Sequence, residues 1–464
     1  MARLGWFGLP FLNSQGDGSA AGLVLSGGGA RASFQIGALQ YLYREAGIAP
    51  KIFVGTSAGS ILAAMLAQHA DPADQADAVD VLAELWTSMT SQEDMFIERT
   101  WFRKLRAHGT ELLQALAAEP RPSSIRSVTI NFPRILRRDA EPEPDAEPEP
   151  VLSPLDRALS PEGQEKDDWS PGALMSLLSN LGRLSRAGGD LPQIWQGADR
   201  TRSAYRPGPL LARLIHPDVF QGERVGASGM KLRIATVGLV GGELHYMRED
   251  GVLVDRFDVP LSPARHDIAL GVLASCAIPA VFAPVEIGDE VYVDGGVREN
   301  LPAEMAIGHL GASPAYVIAA APPGVPADPG AASCDVLSII MRSTSILSDE
   351  SLRDEVAYAR SAGAIVIEPE VDVHDVLTVV PELIRINMDY GWMRAAEAVL
   401  GVTAAEEALH RRIIEARMEL YEVRRRLAVE ETKEDLLAEV HLQYELRDAV
   451  SRSHASFLPP GVAG

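Results

Sequence analysis

Two short runs near the start of the chain are apolar at every position: Gly22-Leu-Val-Leu25 and Ile52-Phe-Val54. Unbroken apolar runs of this length read as strands buried in a sheet. Each flows into a glycine-rich turn and then into a stretch with helical spacing. Ala30–Ala46 carries Phe34, Ile36, Leu39, Leu42 and Tyr43 as an apolar stripe, and Gly47 ends it. Ser60–Leu66 continues from Gly59 as a second helix, and Asp71–Met89 reads as a third. The first 70 residues therefore predict β-loop-α-β-turn-α, the opening of a parallel α/β sheet.

After a long irregular block the pattern resumes. Leu232–Val237 and Glu243–Met247, split by Gly241-Gly242, predict a hairpin. Asp267–Cys276 reads as a helix stopped at Ile278-Pro279. Val291-Tyr292-Val293 is a short strand running into Asp294-Gly295-Gly296. Tyr316–Ala319 and Ala364–Ile367 are two further buried strands. The last segment differs in kind. Leu409, Ile413, Ala416, Leu420, Val423 and Leu427 recur at 4-3-4-3-4 spacing, and Leu436, Leu437, Val440 and Tyr444 begin a second amphipathic stretch. The seam is shorter than the ~3–4 heptads that argue for a coiled coil, so a helical hairpin packed on its own domain is the expectation. Self-association as a homo-oligomer through 403–450 is the competing one.

The block between the two ordered regions has its own composition. From Phe96 to Arg138 lie nine basic residues (Arg99, Arg103, Lys104, Arg106, Arg121, Arg126, Arg134, Arg137, Arg138) against Glu98, Glu111 and Glu119, with Trp101, Phe102 and Phe132 among them. Residues 139–149 form a Pro/Glu run with no means of packing, an extended linker. The division that follows is a flexible leader over 1–20, a main domain over 21–402 interrupted by a partly disordered insertion at about 96–206, and a helical extension over 403–464.

Bulk properties then narrow the function. A formal charge of −22 over 464 residues speaks against a nucleic-acid binder, since phosphate backbones repel such a chain. The basic 96–138 stretch is the exception. It is a candidate for peripheral contact with an anionic lipid surface, set against a solvated flap neutralised by its acidic neighbour. Two cysteines argue against a disulfide framework, fit a reducing cytoplasm and exclude a cysteine-based zinc site. No apolar run approaches the ~20 residues needed to span a bilayer.

Candidate chemistry begins at Gly55-Thr56-Ser57-Ala58-Gly59, a G-x-S-x-G run between a strand and a helix. That is the context of a nucleophile elbow, with Gly55 and Gly59 small so that strand and helix approach closely. The plainer reading is a tight βα turn with an idle serine. Gly27-Gly28-Gly29 also lies between strand and helix, so its N–H groups can converge on a developing oxyanion. A dinucleotide loop would need Gly where Ala32 stands, and the absence of a following G-K-[ST] excludes a P-loop. A serine needs a base. His309 and His374 are triad candidates by order along the chain, and His245 is a further histidine candidate. Asp294 sits where a catalytic residue should, between a strand and two glycines, which is equally where an Asx turn forms.

Taken together, Gly27-Gly-Gly-Ala-Arg31, Gly55-Thr-Ser-Ala-Gly59 and Asp294-Gly-Gly296, in this order, resemble the patatin-like phospholipase family. Ala274-Ser-Cys-Ala-Ile-Pro279 and Asn300-Leu-Pro302 match the neighbourhood of the family's aspartate. The resemblance covers about 22–95 and 205–400. It implies a three-layer α/β/α fold with a mostly parallel sheet and a Ser–Asp dyad without histidine. Ser57 would be the nucleophile, Asp294 the base, and Gly27, Gly28 and Gly29 the oxyanion hole. Arg31 would brace the glycine loop or face a lipid phosphate, while Gly55, Gly59, Gly295 and Gly296 complete the motifs. No metal and no cofactor are implied. The implied activity is hydrolysis of lipid or phospholipid acyl esters of the phospholipase A or lysophospholipase kind. A small-ester carboxylesterase, or an interaction protein acting through its C-terminal helices, are the alternatives. A carboxylate has a pKa near ~4, so a dyad further requires Asp294 to lie in a dry, apolar place that raises its proton affinity.

Overall fold

The computed structural model describes residues 19–99, 203–216, 218–325, 336–460 and 462. The chain divides into two units, Met1–Glu98 with Arg202–Gly464, and Arg99–Thr201; the fold below is that of the first. The basic stretch beyond Arg99, the Pro/Glu run 139–149 and Cys334 lie outside the described residues.

The two apolar runs form β1 (Gly22–Leu25) and β2 (Ile52–Thr56), and every residue in them is buried. They are neighbours in a ten-stranded mixed sheet with β5 (Lys231–Gly238), β11 (Ala315–Ile318) and β12 (Ile365–Ile367). Strands β12, β11, β1, β2 and β5 run parallel. Beyond β5 the sheet continues antiparallel through β6 (Leu244–Arg248), β7 (Val252–Asp255) and β8 (Pro260–Arg265). The Gly-rich turn between β5 and β6 is the hairpin expected from the sequence. Upstream, β3 (Phe96–Glu98) pairs antiparallel with β4 (Tyr205–Pro207), so the chain leaves and re-enters this unit at adjacent points.

One pairing decides the position of the site. Strand β5 has two edges. On one, β6 pairs from Arg233 to Val237. On the other, β2 pairs from Lys231 up to Ala235 and stops at Thr56. The vacated length of that second edge is taken by β10 (Glu290–Asp294), which pairs antiparallel, with Asp294 opposite Thr236 and Tyr292 opposite Gly238. A short strand β9 (Val285–Ile287) backs it. Thr56 and Asp294 therefore face consecutive residues of β5, and Ser57, the next residue after β2, is delivered beside Asp294.

Helices flank the sheet. Helix α1 (Ala32–Arg44) follows the glycine loop, α2 (Ala58–Ala67) follows Ser57, and α3 (Pro72–Thr87) starts on an Asp71 cap with Pro72 in its first turn. All ten residues of α2 are buried, which is why its sequence shows no polar face. Two short helices, α4 (Pro209–Leu214) and α5 (Gly222–Ser228), precede β5. Helix α6 (Ile268–Ser275) is buried throughout and packs on β5. Helix α7 (Val336–Ser361) precedes β12, and α8 (Pro381–Leu400) packs along α1.

The C-terminal segment is a helical hairpin, α9 (Ala404–Leu427) and α10 (Lys433–Arg452). A Thr403–Glu406 capping box starts α9. Its seam is spent inside the chain: Ile413, Ala416, Leu420 and Val423 are buried, and Leu420 and Val423 cluster with Leu442 of α10. The second stretch differs from the sequence expectation. Leu436, Leu437, Val440 and Tyr444 are exposed, and the face that meets α9 is Ala438, Leu442 and Leu446. Ion pairs Arg412–Glu445, Arg424–Glu439 and Arg426–Asp435 cross the hairpin beside this apolar face. Buried His410 ties it down, its Nδ1 2.6 Å from Glu397 Oε1 and its Nε2 2.8 Å from Ser453 Oγ. No described helix is long and apolar enough to cross a membrane.

Candidate active site

Ser57 caps α2 with φ 53° and ψ −128°, a left-handed backbone rare for a residue with a side chain. Its surroundings dictate the flanking glycines. A Cβ on Gly59 would stand 2.5 Å from the carbonyl oxygens of both Leu25 and Ser26 on the β1 side. One on Gly55 would stand 2.5 Å from Gly59 O. The strand–turn–helix crossing thus leaves no room for any other residue. The Ser57 peptide is held on both sides: its N–H donates to Ser275 Oγ at 2.8 Å, and its C=O accepts from Ser60 Oγ at 2.6 Å and from Ser60 N–H at 2.9 Å.

Asp294 ends β10 and is only 4% exposed. Its N–H donates to Ala277 O at 3.0 Å, and its Oδ1 accepts from Gly296 N–H at 2.8 Å. The Asx turn anticipated as the plainer reading is therefore present, but it does not use up the carboxyl, which the Ser57 side chain also approaches closely enough to pull its pKa down. Burial dominates. It pushes the Asp294 pKa up to about 7, against the smaller downward pull of Ser57 and Gly296. A hydroxyl beside a carboxyl with proton affinity in the neutral range is a pair that can pass a proton. Cys276, also buried, lies close enough to Asp294 for the carboxylate, second to burial, to help push its thiol up, and it acts as a core residue rather than a reactive one.

The glycine loop lies against the same place, with one correction. The Gly27 N–H is not free to meet a ligand: it donates to Asn300 O at 3.0 Å. Gly27 instead supplies space, since a Cβ there would run into Asn300 Oδ1 and approach Ser57 Cβ to 3.2 Å. Gly28 keeps partial exposure, and Gly29 turns with φ 53°. Ala30 N–H donates to Val376 O at 2.9 Å.

Arg31 is held by a distant segment of the chain. Its Nε donates to Asp372 Oδ1 at 3.0 Å and to His374 O at 2.8 Å, and its Nη2 pairs with Asp372 Oδ2. A two-pronged grip of this kind ties Arg31, just after the glycine loop, to the 372–374 segment. Gln35, which nothing in the sequence singled out, makes a comparable tie from α1, with Nε2 donating to Ser26 O at 2.9 Å and Ile318 O at 3.1 Å. From the other side Glu355 of α7 accepts from Asn300 N–H at 3.1 Å and Leu301 N–H at 2.7 Å, fixing the segment that holds Gly27. Gly295 passes so close to β5 that a Cβ would stand 2.5 Å from Ala235 O.

The histidines are elsewhere. His374 is buried, with Nδ1 3.0 Å from Asp375 O and Nε2 3.5 Å from both Ser33 Oγ and Asn387 Nδ2. His309 is exposed beside the Phe257 ring, and His245 Nδ1 lies 3.2 Å from the Tyr292 hydroxyl. Among the described residues none hydrogen-bonds to Ser57 or Asp294. The groove of about 520 Å³ on the C-terminal hairpin, between Val423, Arg426, Ala438 and Leu442, contains no residue of this site.

Comparison with known proteins adds the following. The family model described as Patatin-like phospholipase matches residues 23–307, more than half of the chain. Among solved structures, VipD from Legionella pneumophila is similar at a TM-score of 0.34 and 14% identity, over 94% of this chain and 80% of that one. The heterodimeric ExoU–SpcU complex from the type III secretion system of Pseudomonas aeruginosa is similar at a TM-score of 0.22 and 16% identity, over 95% of this chain and 68% of that one. No curated protein matches significantly in sequence. The matched stretch takes in the glycine loop, the serine elbow and the aspartate strand, and on that match the chain belongs to the patatin-like phospholipase family and is a lipid ester hydrolase.

Proposed function

We propose that the chain is a serine lipid acyl hydrolase, of the phospholipase A or lysophospholipase kind, working through a Ser57–Asp294 dyad. The observation that carries this reading is the abutment of a strained, elbow-borne serine and a buried carboxyl with a pKa of about 7. The Asp294 carboxylate takes the proton from Ser57 Oγ as that oxygen attacks the acyl carbonyl. The carbonyl oxygen gathers negative charge in front of Gly28 and Gly29, whose N–H groups are outside the contacts that hold Gly27 and Ala30. Collapse expels the alcohol, which leaves with the proton from Asp294. Water, deprotonated by the same carboxylate, then attacks the acyl-Ser57 ester and releases the fatty acid. The basic stretch 96–138 remains our candidate for lipid-surface contact.

An active-site fluorophosphonate tests the reading. Wild-type protein is expected to be labelled at Ser57, and Ser57→Ala to show no labelling. Equal labelling of the two would remove Ser57 from the mechanism. The pH profile provides a second check. Because the base form is the carboxylate, kcat/KM is expected to rise tenfold per pH unit at low pH and to level off near pH 7, where Asp294 is deprotonated. A profile that levels off by pH 5 would mean that the base is not this buried carboxyl.

A further inference from the structure

We propose that Ser275 is a positioning residue which, together with the Ala277 carbonyl, sets the spacing of Ser57 and Asp294; the inference rests on reading that pair as the reactive dyad. Ser275 is the last residue of α6 and is wholly buried. The rest of α6 is apolar or glycine, from Ile268 to Ala274. A hydroxyl at the end of such a helix is unfavourable unless it has a partner. Its partner is the Ser57 N–H, at 2.8 Å. Two residues on, Ala277 O accepts the Asp294 N–H at 3.0 Å. A single turn of chain thus grips the backbones of both members of the dyad.

The grip falls where the sheet provides none. The β2–β5 ladder ends at Thr56 opposite Ala235, one residue short of Ser57. Ser60 secures the Ser57 carbonyl, but on the N–H side Ser275 Oγ is the acceptor. A non-glycine residue at φ 53° persists only while its surroundings over-determine it. Without the Ser275 acceptor, the Ser57 N–H is a buried orphan donor and the turn is free to relax, carrying Oγ away from the carboxylate. Cutting this tether therefore misplaces the hydroxyl without touching any group that reacts.

The test compares fluorophosphonate labelling rates, and kcat and KM on a short-chain p-nitrophenyl ester, for wild type, Ser57→Ala, Ser275→Ala and Ser275→Thr. Tyr43→Phe serves as a stability control: it removes a buried bond to Gln75 that joins α1 to α3, away from the site. Ser275→Ala is expected to label about 10- to 100-fold more slowly and to lose kcat by the same factor with KM unchanged. Ser275→Thr, which keeps the acceptor, should recover most of the rate, and Tyr43→Phe should label as wild type. If Ser275→Ala does not fold, Ser275→Cys replaces it, with a weak sulfur acceptor and a smaller expected loss. Wild-type rates in Ser275→Ala, or an equal loss in Tyr43→Phe, would overturn the inference and leave the dyad standing. Undiminished labelling of Ser57→Ala would overturn the dyad, and the inference with it.

Discussion

Replacing Asp294 by asparagine is expected to lower kcat by about 10³- to 10⁴-fold and, at pH 8, to raise the thermal midpoint. Both effects come from the burial that lifts the carboxyl pKa from 3.8 to about 7. Below pH 3.8 the group is protonated in the folded and the unfolded chain, and its burial carries no charge. Between there and about 7 the unfolded chain gives up the proton and the folded chain keeps it, so stability falls as pH rises. Above that window the fold contains a buried carboxylate, at a cost of at most roughly 4 kcal/mol. Asparagine does not titrate. Calorimetry should find the two proteins alike near pH 4 and the variant more stable by a margin that grows up to pH 7. A variant less stable at pH 8 would contradict the burial argument. One that retained activity would pass the base to a histidine, with His245 and His309 as the first to examine.

Gly59→Ala is expected to destabilise the fold by roughly 2 kcal/mol and to slow labelling of Ser57 by about 100-fold. Two effects oppose each other. In a helix, alanine is better than glycine by about 1 kcal/mol. Here, however, the new Cβ would meet Leu25 O and Ser26 O at 2.5 Å, and main-chain oxygens at the end of a central strand cannot rotate aside. Overpacking strain of about 1–3 kcal/mol and the displacement it forces outweigh the propensity gain. Ser26 leads directly into Gly27–Gly29, so the displacement reaches the glycine loop as well as the elbow. Urea denaturation and the labelling rate check the two halves separately, and a variant with an unchanged midpoint would mean that β1 yields freely.

The elbow was legible in the sequence because its causes are local. An apolar strand, two enforced glycines and an apolar helix occupy sixteen consecutive residues, 52–67. The strand before Asp294 was legible for the same reason. What was hidden depends on partners distant along the chain. That β10 runs antiparallel along the edge of β5 that β2 leaves free follows from pairing, not from the residues 290–294 themselves. The capture of the Gly27 N–H by Asn300 joins residues 273 apart in number, and nothing in three successive glycines says which amide is taken. Ser275 and Gln35 look like minor polar interruptions of apolar helices, and only their burial marks them. On the C-terminal hairpin Leu436, Leu437, Val440 and Tyr444 pointed to the face of α10 that remains exposed, whereas the less conspicuous set Ala438, Leu442 and Leu446 makes the contact with α9.

The shared edge of β5 has a consequence for how this enzyme comes into being. On the ribosome, Ser57 and the glycine loop emerge early, but their strands are joined to a sheet whose other half is made much later: β5 starts at Lys231, β10 ends at Asp294, and β11, the outer neighbour of β1, spans Ala315–Ile318. A nascent chain shorter than this carries Ser57 without the Asp294 carboxyl beside it. On the reading of Ser57 and Asp294 as a dyad, the pair is complete only after residue 294 has been made and β10 has docked on the edge of β5.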